Sequence, residues 1–282
     1  MALSNPGAQI YVPDGVGSDE AVARTTHLAV GAHPDDIPIM AVDGIVECFD
    51  RSDRWFLGVT VTDGAGSPRA GTYRDLGDDE MREVRMGEEQ KAAALGEYSA
   101  VVLLDYPSQA AKDPANETVV ADLVGVIGDA RPEVVYTHNL ADKHDTHVAV
   151  ALRTLAAIRS LPADRRPGAL YGCEVWRDLD WMVDDDKVTF DVTSHSELIG
   201  RMLASYESQL SGGRRYDLGV NGRSLAHAVF SDPYVTSVPG RHAYAMNLTP
   251  LIADDSVDIP AYVAGHVERL RSDTLDRIDR VR

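Results

Sequence analysis

The stretch Leu28-Ala-Val-Gly-Ala-His33-Pro-Asp35-Asp36 runs from an apolar segment into one imidazole and two carboxylates. A second polar cluster, His138-Asn-Leu-Ala-Asp142-Lys-His144-Asp145-Thr146-His147, follows another apolar segment. His33 and Asp36 lie three apart across a strand-to-helix turn. His144 and His147 are also three apart, which puts them on one face of a helix. Two imidazoles and a carboxylate are a familiar catalytic zinc set with a fourth position open to water. Zinc lowers the pKa of that water toward about 7. A neighbouring carboxylate that does not reach the metal can take the water's proton, and Asp35 is the natural candidate. The pattern is that of a metal hydrolase site.

Other histidines carry less. His27 falls within a strand and reads as packing; His195, His227, His242 and His266 show no partner of clear spacing. Asp43 and Glu47 read as a solvated or interface face of the first helix, and Asp184-Asp185-Asp186 as a solvated turn. The glycine-rich run 64–71 lacks the Gly-Lys-Ser/Thr ending of a phosphate loop and the spacing of a dinucleotide fingerprint, so it reads as a loop rimming the site. No Gly-x-Ser-x-Gly turn is present.

The elements that must position these residues alternate. Strand-like runs at 26–32, 55–62, 101–104, 134–137 and 169–175 are interleaved with helix-like runs at 37–49, 79–95, 117–130, 146–160 and 194–209. Pro38 falls in the first turn of its helix, where a missing N–H is harmless, and Gly96 is placed to cap the second helix. Such alternation predicts an α/β fold: a Rossmann-like, mostly parallel sheet with helices on both faces and right-handed crossovers. Ligands bind beyond the carboxyl ends of such strands, and both polar clusters follow a strand, so they should meet. Residues 1–24 read as an N-terminal arm and 25–210 as the core. Residues 211–282 read as a C-terminal extension packing on that core. In the extension Gly212-Gly213, Asn221-Gly222 and Pro239-Gly240 mark turns, and 259–278 reads as an amphipathic helix.

The 282 residues are 44% hydrophobic, enough for a sizeable core. Against 27 Lys and Arg stand 45 Asp and Glu, a net charge of −18. That field disfavours nucleic acid and anionic membranes as partners. Residues 1–20 lack the basic and apolar regions of a signal peptide, and no apolar run reaches the roughly 18 residues of a membrane span. The expected address is the cytoplasm. Cys48 and Cys173 read as two buried free thiols rather than a disulfide.

Ala32-His33-Pro34-Asp35-Asp36, joined to the distant His144-x-x-His147, resembles the PIG-L/LmbE family of zinc-dependent N-deacetylases. Supporting matches are the Thr62-Asp63-Gly64 turn, Arg85-x-x-Glu88 in a helix ending Leu95-Gly96, and Ser208-Gln209. The likeness spans roughly residues 25–210. The region from Tyr136 to Trp181 also resembles the PIG-L-type module fused to some glucosamine-6-phosphate deaminase-related proteins. The resemblance implies an LmbE-like fold and Zn²⁺, or another divalent metal, held by His33, Asp36 and His147. It implies Asp35 as general base and His144 as a protonated donor to the oxyanion. Arg85 and Asp63 would bind substrate, and Asp142 or Asp145 would tune His144. The products would be acetate and a free amine, typically on an amino sugar such as an N-acetylglucosamine compound. The chain departs from the family pattern where Ile37-Pro38 follows the second aspartate, where Thr146 replaces an aspartate, and where Tyr206 stands for a histidine.

Three other readings share these residues: an amidase acting on a thiol-sugar or other amide, a non-catalytic sugar-binding protein, and a non-haem Fe(II) oxygenase with a two-His-one-carboxylate triad. The strand–helix alternation argues against the last, whose members commonly use double-sheet barrels. The expected partner is a small sugar substrate, and self-association into a homo-oligomer is compatible with the apolar C-terminal stripe.

Overall fold

A computed structural model describes residues 2–231 and 240–282. The first half contains β1 (Gln9–Tyr11), α1 (Ser18–Ala23), β2 (His27–Gly31), α2 (Asp36–Met40), α3 (Val42–Cys48), β3 (Phe56–Thr62), α4 (Asp78–Leu95), β4 (Ala100–Tyr106), α5 (Ser108–Lys112) and α6 (Thr118–Ala130). The second contains β5 (Val134–His138), α7 (Asp145–Ser160), β6 (Ala169–Cys173), β7 (Lys187–Asp191), α8 (Ser196–Leu203), α9 (Glu207–Leu210), α10 (Tyr216–Ser231), β8 (His242–Asn247), α11 (Thr249–Ala253) and α12 (Ile259–Val281). The strands form one sheet in the order β1-β4-β3-β2-β5-β6-β8-β7. β4, β3, β2, β5 and β6 run parallel, while β1 and β8 are antiparallel to their neighbours.

The central strands are apolar on both faces, as a sheet covered by helices requires. Leu28, Val30, Leu57, Val59, Val102 and Val135 point into a core shared with α6 and α7. Their strand neighbours Ala29, Phe56, Val101 and Tyr136 point into a second core shared with α2, α3, α4 and α8. This alternation is the period of two intrinsic to a strand.

Several expectations are modified. The arm at 1–24 is docked: β1 adds an edge strand beside β4 with Gln9 opposite Leu103. The helix expected at 37–49 is two helices, redirected at Ala41 (φ −105°, ψ 30°). The second of them lays Gly44 against Tyr136, where a Cβ would stand only 2.5 Å from the ring. The run at 194–209 likewise divides into α8 and α9. Residue 210 is no border in the sheet, because β8 is inserted between β6 and β7. The turn expected at Asn221-Gly222 lies inside α10, whose tertiary contacts override the local turn preference. Gly213 does take a left-handed turn conformation (φ +84°); Pro239 lies outside the described residues. In α12, Val263 packs on the core, whereas Val267, Leu275 and Ile278 face solvent. No helix among the described residues is long and apolar enough to cross a membrane. Both cysteines are free and buried, and burial pushes the Cys48 thiol up to about 12.

Candidate metal centre

β2 and β5 are parallel neighbours with His27 opposite Val134, so their carboxyl ends deliver both polar clusters to the same edge. After β2 the chain turns through His33 and Pro34 into α2. Asp35 there adopts φ +134°, a conformation that costs a non-glycine residue on the order of 1–3 kcal/mol. After β5 a short loop leads to α7, with His144 at its N-cap and His147 one turn inside.

Three atoms converge. His33 Nδ1 lies 3.1 Å from Asp36 Oδ2 and 3.2 Å from His147 Nε2, and Asp36 Oδ2 lies 3.4 Å from His147 Nε2. Ligands bound tetrahedrally to zinc at their usual distances are spaced by about 3.3 Å. The three donors therefore already form one face of such a tetrahedron. His33, His144 and His147 also fall within metal-binding reach of one another, as do Asp36, His138 and His147.

His138, to which the sequence assigned no role, explains why the second set is not the better one. Its Nε2 accepts the Ala32 N–H at 2.9 Å, which occupies the lone pair a metal would need. The ring is buried and stacks on His147 with centroids 3.9 Å apart. Burial keeps it uncharged by pushing its pKa well down, with His147 adding to the effect. His138 thus clamps the His147 ring and ties the ends of β2 and β5 together. Its only sequence signal was its place at the end of an apolar run.

The charges around the donors follow from burial. Burial alone would raise the Asp36 pKa, but the imidazoles of His147, His138 and His33 hold it far below the usual carboxylate range. Burial opposes charge on His147, yet Asp36 and Asp142 outweigh it and raise its pKa. Asp142 sits 3.6 Å from His147 Nδ1. Its carboxylate also accepts the N–H groups of His144 and Trp176, both at 3.0 Å. Burial works against its charge, but the hydrogen bond and charge of His147 prevail, and its pKa falls to about 2. Asp142 therefore orients His147; it reaches His144 through the backbone N–H and through its charge, which opposes the lowering of the His144 pKa. Asp145 is exposed in the first turn of α7 and makes no hydrogen bond to either imidazole among the described residues.

His144 packs edge-on against His33 with centroids 5.0 Å apart. Burial, then the charges of His147 and His33, lower its pKa. These influences disfavour the protonated form expected of His144.

Arg85 is buried (1% exposed), and its guanidinium is committed to protein groups. It pairs with Asp35 at 3.1 Å and Glu88 at 3.0 Å, and also donates to the Pro34 carbonyl. It also borders the cleft, so its grip on Asp35 is exerted from the wall of the candidate site. Burial raises the Asp35 pKa, opposed by the Arg85 charge. Glu88 is fixed in turn by the Ser208 N–H at 2.6 Å and hydroxyl at 2.8 Å. Replacing Arg85 with methionine would leave Asp35 and Glu88 buried without their cation. Loss of one partner of a buried pair costs about 3–5 kcal/mol, so urea denaturation of Arg85→Met should show a loss of that order.

The Asp63 carboxylate accepts the Ala65 N–H at 3.0 Å, closing its own turn, and it is not among the walls of the cleft. Its neighbour Gly64 takes φ +68°, and a Cβ there would press 3.1 Å from Arg85. The loop Gly64–Pro68 does rim the cleft.

Glu89, which the sequence did not single out, lies behind the site. It accepts hydrogen bonds from Tyr206 at 2.7 Å and Thr60 at 3.2 Å. Burial pushes its pKa up to about 7. A group whose folded pKa exceeds its unfolded value stabilises below the unfolded pKa and loses that contribution as pH rises through the folded one. The window is therefore from about 4.5 to about 7. Glu89→Gln, which does not titrate, should gain on the natural protein by roughly 3 kcal/mol between pH 4.5 and pH 8. Thermal unfolding across that range measures the widening gap.

The cleft of about 470 Å³ is completed by Lys112, Thr146, Trp176, Gln209, Arg214, Tyr216 and Arg223. The Tyr216 hydroxyl is buried beside Asp35 without a well-formed hydrogen bond.

The family model described as GlcNAc-PI de-N-acetylase, PIG-L, matches residues 28–158. The matched stretch spans both polar clusters and ends inside α7. No curated protein matches the chain. Among solved structures, N,N'-diacetylchitobiose deacetylase from Pyrococcus horikoshii aligns with TM-score 0.61 at 16% identity, over 80% of this chain and 85% of that one. The A40926 pseudoaglycone deacetylase Dbv21 aligns with TM-score 0.58 at 16% identity, over 79% of this chain and 97% of that one. GalB, the 4-carboxy-2-hydroxymuconate hydratase from Pseudomonas putida KT2440, aligns with TM-score 0.63 at 17% identity, over 79% and 96%. These structures share the fold of this chain, and their names include deacetylases and a hydratase, so the fold alone does not select the reaction.

Proposed function

We propose that the protein is a metal-dependent amidase that removes an N-acetyl group from an amino sugar or sugar conjugate, with zinc as the metal. The observation that carries this reading is the near-tetrahedral face formed by His33, Asp36 and His147, with Asp35 adjacent and held by Arg85. The PIG-L match supports it.

A zinc ion on these residues would supply Lewis acidity and lower the pKa of a water toward about 7. Asp35 takes the proton from the attacking water, a duty for which its raised pKa suits it. The same carboxyl then gives that proton to the departing nitrogen. His144 donates its N–H to the oxygen that becomes negative as the carbonyl turns tetrahedral. His138 and Asp142 keep His147 in place, and Arg85 holds Asp35. Lys112, Arg214 and Arg223 offer donors to hydroxyl or acidic substituents of the sugar. The cytoplasm remains the proposed address.

The test is acetate release from a panel of free N-acetylglucosamine, its 6-phosphate, chitobiose and aglycone conjugates, before and after chelation and zinc return. Zinc-restored release from any member supports the reading. Stoichiometric zinc with no release from any of them refutes the substrate class.

A further inference from the structure

Beside the metal cleft lies a second cavity of about 280 Å³. Ile39, Val220 and Arg223 border both spaces. Ile39 follows Asp36 by three residues, so the partition stands about one helical turn from a metal donor. The floor of the second cavity is Met40, Val42, Ile199, Leu203, Ala243 and Tyr244.

Its one buried charge is already satisfied. Glu174 accepts the Leu179 N–H at 2.6 Å and the Tyr244 N–H at 3.2 Å, and pairs with His227 at 3.1 Å. Arg223 donates to the Val175 carbonyl at 2.9 Å, and Arg241 is bonded to Asn221 and Ser224. Asp217 is paired with Arg215 at 2.8 Å, and Nδ1 of His242 is the one buried side-chain polar atom of this lining without a hydrogen-bond partner among the described residues. Most of the lining is therefore carbon, and the cavity shares a wall with a cleft lined by ionisable groups.

We propose that this cavity binds an apolar substituent of the amide substrate, an alkyl chain or aryl group carried on the acyl or the amine side. The inference rests on the amidase reading. An occupant fixed through the cleft by its polar end would place its apolar end against α8 and β8. The expected substrate is therefore amphiphilic rather than a bare sugar.

Two substrate series separate the two sources. One lengthens the N-acyl group of glucosamine from acetyl to octanoyl; the other lengthens the alkyl aglycone of N-acetylglucosamine from methyl to octyl. In one series kcat/KM should rise by up to about fourfold per buried methylene. Gly200 lies at the rim, where a Cβ would meet nothing within 4 Å. Gly200→Phe should collapse the ratio of long-chain to short-chain kcat/KM, and Gly200→Ala should retain it. Calorimetric binding of both series to Asp35→Ala gives a readout free of turnover and should show the same ranking.

Flat kinetics in both series, with short substrates still hydrolysed, overturn the cavity assignment and leave the amidase reading intact. If no amide is hydrolysed, the amidase reading fails and binding decides the cavity. Chain-length-dependent binding abolished by Gly200→Phe upholds the apolar site, and its absence overturns it.

Discussion

Replacing Asp35 with alanine is expected to lower kcat/KM by about 10²- to 10⁴-fold, the span typical of a lost general base, while metal content stays stoichiometric. The three donors come from His33, Asp36 and His147, so truncating Asp35 subtracts no ligand. The backbone points the same way. Asp35 sits at φ +134°, and its carboxylate is held by Arg85 rather than by the donors. An alanine in this conformation is strained as well, so folding should be checked by circular dichroism. Metal analysis beside steady-state kinetics then separates the roles. Retained turnover would remove Asp35 from the chemistry, whereas lost metal would make it part of the coordination shell.

Chelation is expected to abolish turnover, zinc to restore it, and the melting temperature to fall in between. Without a cation, Asp36 lies amid His33, His138 and His147, and the donors face one another at close range. Metal that binds only the folded chain stabilises it by about 4 kcal/mol when free metal exceeds its Kd a thousandfold. His147→Ala removes a donor together with the ring on which His138 stacks. That variant should lose both stoichiometric zinc and the zinc-dependent gain in melting temperature. Calorimetry with and without zinc checks both points, and a metal-independent enzyme would show neither.

The residues legible in the sequence were those whose chemistry is local. His33, Asp35 and Asp36 lie within four positions, and His144 and His147 are one turn apart, so each motif could be seen without knowing its partner. The parallel strands were legible for a similar reason, since apolar runs on β2 to β6 bury both faces. What escaped depends on distant pairing. His138 acts through Ala32, Glu88 through Ser208, and Glu89 through Tyr206. His227 and His266 looked unpartnered, yet they meet Glu174 and Asp186 from remote stretches of chain. β1 has three residues, too few for a period to register. β8 owes its place to the gap between β6 and β7. Arg85 and Asp63 were visible as motif residues, but spacing did not show that Arg85 grips Asp35 or that Asp63 closes its own turn.

The pairing of β2 with β5 sets an order of events during folding. His33 and His147 are separated by 114 positions, and closing so long a loop is entropically costly before other contacts reward it. The candidate donors come together only once two remote strands have registered, so an ion held there would be a late arrival rather than a nucleus. Once seated, it would fasten that long loop much as a covalent crosslink does. Its influence should therefore fall on how slowly the finished protein comes apart, not on how quickly the chain first collapses.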